Sequence, residues 1–170
     1  MALPQRKRNR LCCFDYSSPG VYFVTICTQN RKNLLCSIVG DGSTVPKPPG
    51  QIAEQWIRKI PEKYPSVCVD KCVVMPNHVH ILLRITWSGD VTACESGTVN
   101  PSPTLGNIIG WYKYHTTKSI NQHWKTKDEQ VFQRSYHDHV IRTEKDYQMI
   151  WQYIDANPLL WKKDCFYTAE

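Results

Sequence analysis

Apolar residues change their spacing along the chain, and the order of these changes predicts the fold. Runs rich in β-branched and aromatic residues predict strands over 21–28, 67–75 and 78–86, and the short run 137–142 fits a last strand. Apolar positions three and four residues apart predict helices that begin near residues 51, 105 and 143. The order β-α-β-β-α-β with one appended helix predicts an α+β fold, the ferredoxin-like split antiparallel sheet.

Two segments interrupt these periodic patterns. Residues 40–50 and 87–103 are rich in Gly, Pro, Ser and Thr and are expected to be exposed loops. Pro61 is expected to end or kink the first helix, because proline cannot donate the hydrogen bond of a regular helix. Neither loop is long enough to separate two cores. The predicted organisation is a basic N-terminal arm over 1–18 and a single domain over 19–170.

Composition narrows the class of protein. The chain has 170 residues, 41% of them hydrophobic and 21% charged, as expected for one globular domain with its own core. No run approaches the roughly 20 apolar residues that cross a bilayer, and the basic N-terminus lacks the apolar stretch of a signal peptide. These observations exclude collagen-like and membrane-spanning classes and predict a cytoplasmic protein. The net charge of +6 favours an acidic partner without identifying it.

The chain has eight cysteines but no Cys-x2-Cys pair, so most are expected to be reduced thiols. Cys68 and Cys72 precede His78 and His80 closely enough that a structural zinc site is an alternative.

His78 and His80 fall within a predicted strand. Because successive side chains of a strand point to opposite faces, both imidazoles are expected on one face, with Val79 and Ile81 on the other. Two imidazoles on one face can bind a divalent metal. A His-x-His pair alone is weak evidence, since such pairs are also common at surfaces and in cores.

The last predicted helix places two polar side chains one turn apart. Thr143 suits the N-cap, and Asp146 places negative charge in the first turn, where the helix dipole favours it. Tyr153 and Asn157 are spaced i and i+4, so both side chains can reach the same point. Pro158 ends the helix near Asn157. The alternative is that Tyr153 lies at the core boundary and Asn157 caps the helix.

Five blocks of this sequence resemble, in the same order, the REP-associated tyrosine transposases, which are single-tyrosine HUH transposases with an insertion-sequence 200-like domain. The blocks are PGVYFVTICTQNRKNLLC near the start, VVMPNHVHILL (73–83), LGNIIGWYKYHTTKSIN (105–121), FQRSYHDHVIRTEKD (132–146) and YIDANP (153–158). The combination carries the resemblance, which covers about residues 19–164.

The resemblance implies an enzyme that cleaves and rejoins single-stranded DNA near REP-like hairpins. Tyr153 would be the nucleophile that forms a 5′-phosphotyrosine, and His78, His80 and Asn157 would bind a divalent cation, Mg²⁺ or Mn²⁺. Imidazole alone suits zinc, copper, iron or nickel better, so Mn²⁺ is the easier of the two to reconcile with two histidines.

The resemblance also implies a prokaryotic, nucleoid-associated protein that acts as a monomer or homodimer, with neither a membrane nor a small molecule as partner. The alternative is a catalytically idle regulator, derived from such a transposase, that binds hairpin DNA or RNA. Gln133 and His139 match the family block before the tyrosine helix and are candidate active-site residues. The basic candidates for DNA contacts are Arg6, Lys7, Arg8, Arg31, Lys113, Lys118, Arg134 and Arg142. For each of these, an ordinary surface charge or packing role is the alternative.

Overall fold

The computed structural model describes residues 16, 18–86 and 103–168 of the chain. The strands are β1 (Gly20–Cys27), β2 (Cys36–Ile38), β3 (Thr44–Pro46), β4 (Val67–Val74), β5 (His78–Ile85) and β6 (His137–Ile141). Four of them form the main sheet in the order β4-β5-β1-β6, and every neighbouring pair is antiparallel. The predicted α+β fold with its split antiparallel sheet is therefore confirmed.

Helices cover both faces of this sheet. They are α1 (Pro48–Arg58), α2 (Ile60–Lys63), α3 (Leu105–Trp124) and α4 (Glu144–Ala156). Helices α1 and α3 pack on one face, over a core that includes Val79, Ile81 and Leu83 of β5. Helix α4 packs on the opposite face over Leu82. The alternation of β5 side chains thus supplies two separate cores, and the histidines lie on the α4 side.

The segment 40–50 differs from the loop that its composition predicts. It contains a turn, strand β3 and the beginning of α1. Gly42 has φ +83°, a conformation that glycine adopts without steric cost, so β2 and β3 can form a tight hairpin. Pro48 and Pro49 suit the first turn of α1, where no backbone donor is required. Glycine and proline here shape regular elements rather than interrupt them.

Pro61 has the predicted effect on the first helix. The helix breaks at Lys59, and α2 begins at Ile60 with proline in its first turn. Among the described residues, no helix is both long and apolar enough to cross a membrane. The predicted basic arm lies outside the described residues except for Tyr16 and Ser18, as does the predicted loop 87–103 except for Pro103. The domain boundaries at 18 and 19 stay predictions.

Candidate active site

Helix α4 is held on the sheet by local capping and by side-chain contacts. The Thr143 hydroxyl accepts a hydrogen bond from the Asp146 amide at 3.1 Å, which confirms the predicted N-cap. Ile154 is buried against Leu82, and Lys71 of β4 forms an ion pair with Asp155 at 2.6 Å. These contacts fix the rotation of α4, and this rotation turns Tyr153 and Asn157 toward the histidines.

His78 and His80 are fully buried and their rings converge. Their Nε2 atoms lie 3.0 Å apart, and their relative exposures are 0% and 1%. Adjacent ligands about 2.1 Å from an octahedral cation also lie about 3 Å apart. The spacing of the two nitrogens therefore matches that of two ligands of one ion.

The opposite nitrogen of each imidazole is held by a neighbouring side chain. Asn77 Nδ2 donates to the Phe166 carbonyl at 2.8 Å, which turns its Oδ1 toward His78 Nδ1, 2.9 Å away. His78 Nδ1 therefore carries the proton and its Nε2 carries the lone pair. Thr25 Oγ1 lies 2.9 Å from His80 Nδ1 and can accept its proton in the same way. This second layer of contacts is typical of metal-binding histidines.

Burial keeps both imidazoles neutral. It lowers the pKa of His78 to about 4, against the opposing attraction of the Asp164 carboxylate. It also lowers the pKa of His80 well below its ordinary value, and the neighbouring His78 adds to this shift. A neutral imidazole keeps one ring nitrogen with a lone pair, so each ring can act as a metal ligand.

Tyr153 points its phenol at this pair while staying open to solvent. Its hydroxyl lies 3.5 Å from His80 Nε2 and 3.4 Å from Asp164 Oδ2. The ring packs edge-on against Phe23, with centroids 6.0 Å apart, and 39% of the residue is exposed. Burial, with the charge of Asp164 and Cys165, raises the pKa of Tyr153 to about 12. The phenol is thus protonated at neutral pH and reachable from outside.

Asn157 lies one turn after Tyr153, as the helical spacing predicts, and is 2% exposed. Its Nδ2 donates to Asp164 Oδ2 at 2.7 Å. Its Oδ1 is buried and has no hydrogen-bond partner among the described residues. A buried acceptor without a partner is costly, and a cation would satisfy it.

A scan against protein-family models finds no match for this chain, whereas searches of known proteins and solved structures do. A Haemophilus influenzae protein described as "Uncharacterized protein" is 32% identical over 174 residues, 96% of this chain and 93% of that protein. Another protein of that organism, described as "Putative REP-associated tyrosine transposase", is 24% identical over 146 residues, 85% of this chain and 73% of that protein. The solved structure of a REP-associated tyrosine transposase bound to a REP hairpin shares the fold, with a TM-score of 0.56 at 19% identity over 91% of this chain and 73% of that one. These matches confirm the predicted resemblance to the REP-associated tyrosine transposases.

The zinc alternative is wrong for this protein. Cys72 packs against the core beneath α1 and α3, on the sheet face opposite the histidines, and Cys68 is exposed. The metal-ligand side chains that converge within the described part of the chain are His78, His80 and Asp164. The spacing of the cysteines in sequence could not show that strand alternation separates Cys72 from the histidines.

The basic candidates lie in different places. Arg31 is exposed beside the site, with its guanidinium 5.3 Å from the Phe166 ring centroid. Lys113 is half-buried, and its ammonium donates to the carbonyl oxygens of Gln133 and Arg134. Lys113 thus ties α3 to the segment before β6, and this role takes up part of its donor capacity. Arg6, Lys7 and Arg8 lie outside the described residues.

A separate groove of about 960 Å³ runs between α3 and residues 126–136. Lys118 and Arg134 line it together with Lys113. Because α3 packs on the sheet face opposite α4, these cations do not converge on Tyr153. Arg142 is exposed just after β6.

The two remaining candidates differ in their relation to the site. His139 is exposed on β6 and pairs with Phe23 in register, which places it on the sheet face that carries the site. Gln133 is held through its backbone, with its amide donating to the Cys27 carbonyl at 2.9 Å. His139 therefore lies beside Phe23, which packs against Tyr153.

The neutral histidines predict that the protein loses stability in acid. An unfolded histidine has a pKa of about 6.5, above the value of about 4 for folded His78. Between these values the unfolded chain binds more protons, so stability is complete above pH 6.5 and is lost as the pH falls toward 4. His78 alone should remove about 2 kcal/mol between pH 7 and pH 5.

Urea unfolding at the two pH values, with EDTA present, measures this loss. A His78→Gln variant lacks the titrating ring. Its loss of unfolding free energy between pH 7 and pH 5 should therefore be about 2 kcal/mol smaller than that of the wild type. Equal losses in the two proteins would contradict the assignment.

Proposed function

We propose that the protein is a metal-dependent endonuclease and strand transferase for single-stranded DNA, and that Tyr153 is its nucleophile. The observation that carries this proposal is the convergence of one solvent-accessible phenol with two buried imidazoles. The Tyr153 hydroxyl lies 3.5 Å from the nitrogen that His80 turns toward His78. A protein that only bound nucleic acid would have no need to keep a nucleophile beside a pair of converging nitrogens.

His78, His80 and Asn157 would hold the cation. Their fit rests on two neutral imidazoles whose Nε2 atoms are 3.0 Å apart and on a buried amide oxygen that no described residue hydrogen-bonds. When bound there, Mg²⁺ or Mn²⁺ supplies Lewis acidity that withdraws charge from a phosphate oxygen.

In the proposed cleavage step, Tyr153 exchanges one phosphoester bond for another. The Tyr153 oxygen attacks the phosphorus of one phosphodiester, the bond from phosphorus to the 3′ oxygen breaks, and a 5′-phosphotyrosine and a free 3′-hydroxyl result. The phenol, which is open to solvent, releases its proton to water, and the departing 3′ oxygen takes one up from water. Phe23 packs against the edge of the tyrosine ring and limits its rotation. Because the phosphoester energy is retained, attack by a 3′-hydroxyl reverses the step and joins two strands without ATP.

The proposed substrate is DNA that contains a hairpin of the REP type with single-stranded flanks. Support comes from the sequence resemblance to the REP-associated tyrosine transposases, from the solved relative bound to a REP hairpin, and from the net charge of +6. Arg31 is exposed beside the site and suits a phosphate contact. We place this activity in the prokaryotic cytoplasm, in association with the nucleoid, where such DNA is available.

A covalent adduct tests the proposal. The full chain is incubated with 5′- or 3′-end-labelled REP-like hairpin DNA and either MnCl2 or MgCl2, and the products are resolved on a denaturing gel. We expect a labelled protein–DNA adduct only when the label lies 3′ of the cut, and its loss in EDTA. Hairpin binding without an adduct under both metals would favour the idle regulator instead.

A further inference from the structure

We propose that the Asp164 carboxylate is a further ligand of the cation, beside His78, His80 and Asn157. This inference rests on the proposed function of the site. Asp164 follows a short 3-10 turn over Trp161–Lys163, after α4 has ended. One oxygen of its carboxylate, one ring nitrogen of His78 and one ring nitrogen of His80 lie within 4.8 Å of one another.

The two oxygens of Asp164 have different roles. Oδ1 accepts a hydrogen bond from the Phe166 amide at 2.7 Å, which fixes the rotation of the carboxylate. Oδ2 faces the site, where Asn157 Nδ2 donates to it at 2.7 Å and the Tyr153 hydroxyl at 3.4 Å. An oxygen that already accepts from these two neighbours is held at the point where the other ligand atoms converge.

Charge is the second argument. His78 and His80 are neutral and Asn157 is an amide, so these three ligands bring no negative charge to a buried dication. Asp164 supplies one. Magnesium and manganese favour carboxylate oxygen, whereas two imidazoles alone favour zinc or copper. With Asp164 included, the ligand set suits the cations that the resemblance implies.

The segment that carries Asp164 is anchored to the histidine strand. Asn77 Nδ2 donates to the Phe166 carbonyl at 2.8 Å and lies 3.1 Å from the Thr168 hydroxyl. The centroids of the Phe166 and His78 rings are 4.8 Å apart. Asn77 therefore orients His78 and also holds the turn that positions Asp164, so the ligands are arranged before the cation arrives.

Cation titration of the full chain without DNA tests this inference. Calorimetry with MnCl2 and with ZnCl2 is carried out on the wild type, Asp164→Asn and Asp41→Asn. The control is matched, because Asp41 Oδ1 accepts from the amide two residues ahead, that of Ser43, at 2.8 Å, in an exposed turn outside the site. We expect Asp164→Asn to weaken Mn²⁺ binding at least about tenfold and Zn²⁺ binding clearly less. Asp41→Asn should bind both cations like the wild type.

The ratio of the two affinities separates a ligand from a residue that only supports the fold. It is measured on one sample, so it does not depend on the fraction of folded protein. Equal weakening for both cations, or no weakening, would overturn the role of Asp164. A wild type that binds neither cation, or a His80→Ala variant that binds both as well as the wild type, would instead refute the proposed metal site itself.

Discussion

Replacing Tyr153 by phenylalanine is expected to abolish the covalent protein–DNA adduct and to lower cleavage by on the order of 10⁴–10⁶-fold, as when a nucleophile is deleted. The substitution removes one oxygen atom and leaves the ring that packs against Phe23. The lost contacts to His80 and Asp164 are 3.5 and 3.4 Å long. Stability should therefore change by no more than about 1 kcal/mol. Hairpin affinity, measured by fluorescence anisotropy, should be retained.

Tyr167→Phe is the matched control for this variant. Tyr167 is also 39% exposed and lies in the segment after α4, where its ring packs against Trp161. We expect it to form the adduct at the wild-type rate. Cleavage that persists in Tyr153→Phe, or an adduct lost equally in both variants, would contradict the assignment of Tyr153 as nucleophile.

The second large effect is expected from His80→Ala, which should weaken Mn²⁺ binding by at least about 100-fold and reduce the adduct to a similar degree. His80 contributes one of two converging nitrogens and also approaches the Tyr153 hydroxyl. Excess MnCl2 should restore only part of the activity, because a cation held by fewer ligands is less firmly positioned. Calorimetry and the denaturing gel measure the two quantities on the same preparation.

His123→Ala controls for the loss of an imidazole. His123 is exposed in the last turn of α3, on the other side of the sheet. Because His80 is buried, His80→Ala should also be destabilised, by about 1–3 kcal/mol, and circular dichroism at low temperature establishes that it is folded. A folded His80→Ala protein with wild-type Mn²⁺ affinity would exclude His80 as a ligand.

The fold could be predicted largely from local patterns. The strand over 78–85 follows from the alternation of its side chains, and Thr143 and Pro158 mark the two ends of α4 through capping and a missing donor. The structure of the segment 40–50 was harder to predict, because glycine and proline favour both irregular loops and the tight turns that join regular elements. There only the pairing of β2 with β3 identified a hairpin.

The sequence by itself determined which side chains share a face within β5 and which share a side within α4. The period of a strand places His78 and His80 on one face, and the period of a helix places Tyr153 and Asn157 on one side of α4. Both relations are local, so they follow from spacing alone.

Only the tertiary structure decided what meets at the site. Asp164 reaches it through a turn with no regular period, and Asn77 acts there by holding the segment around Phe166, whose carbonyl it binds. The rotation of α4, the 3.0 Å approach of the two imidazoles and the separation of Cys72 from them all depend on packing between segments distant in the chain. Such packing leaves no periodic signal in the sequence, because each contact depends on the positions of both partners in space.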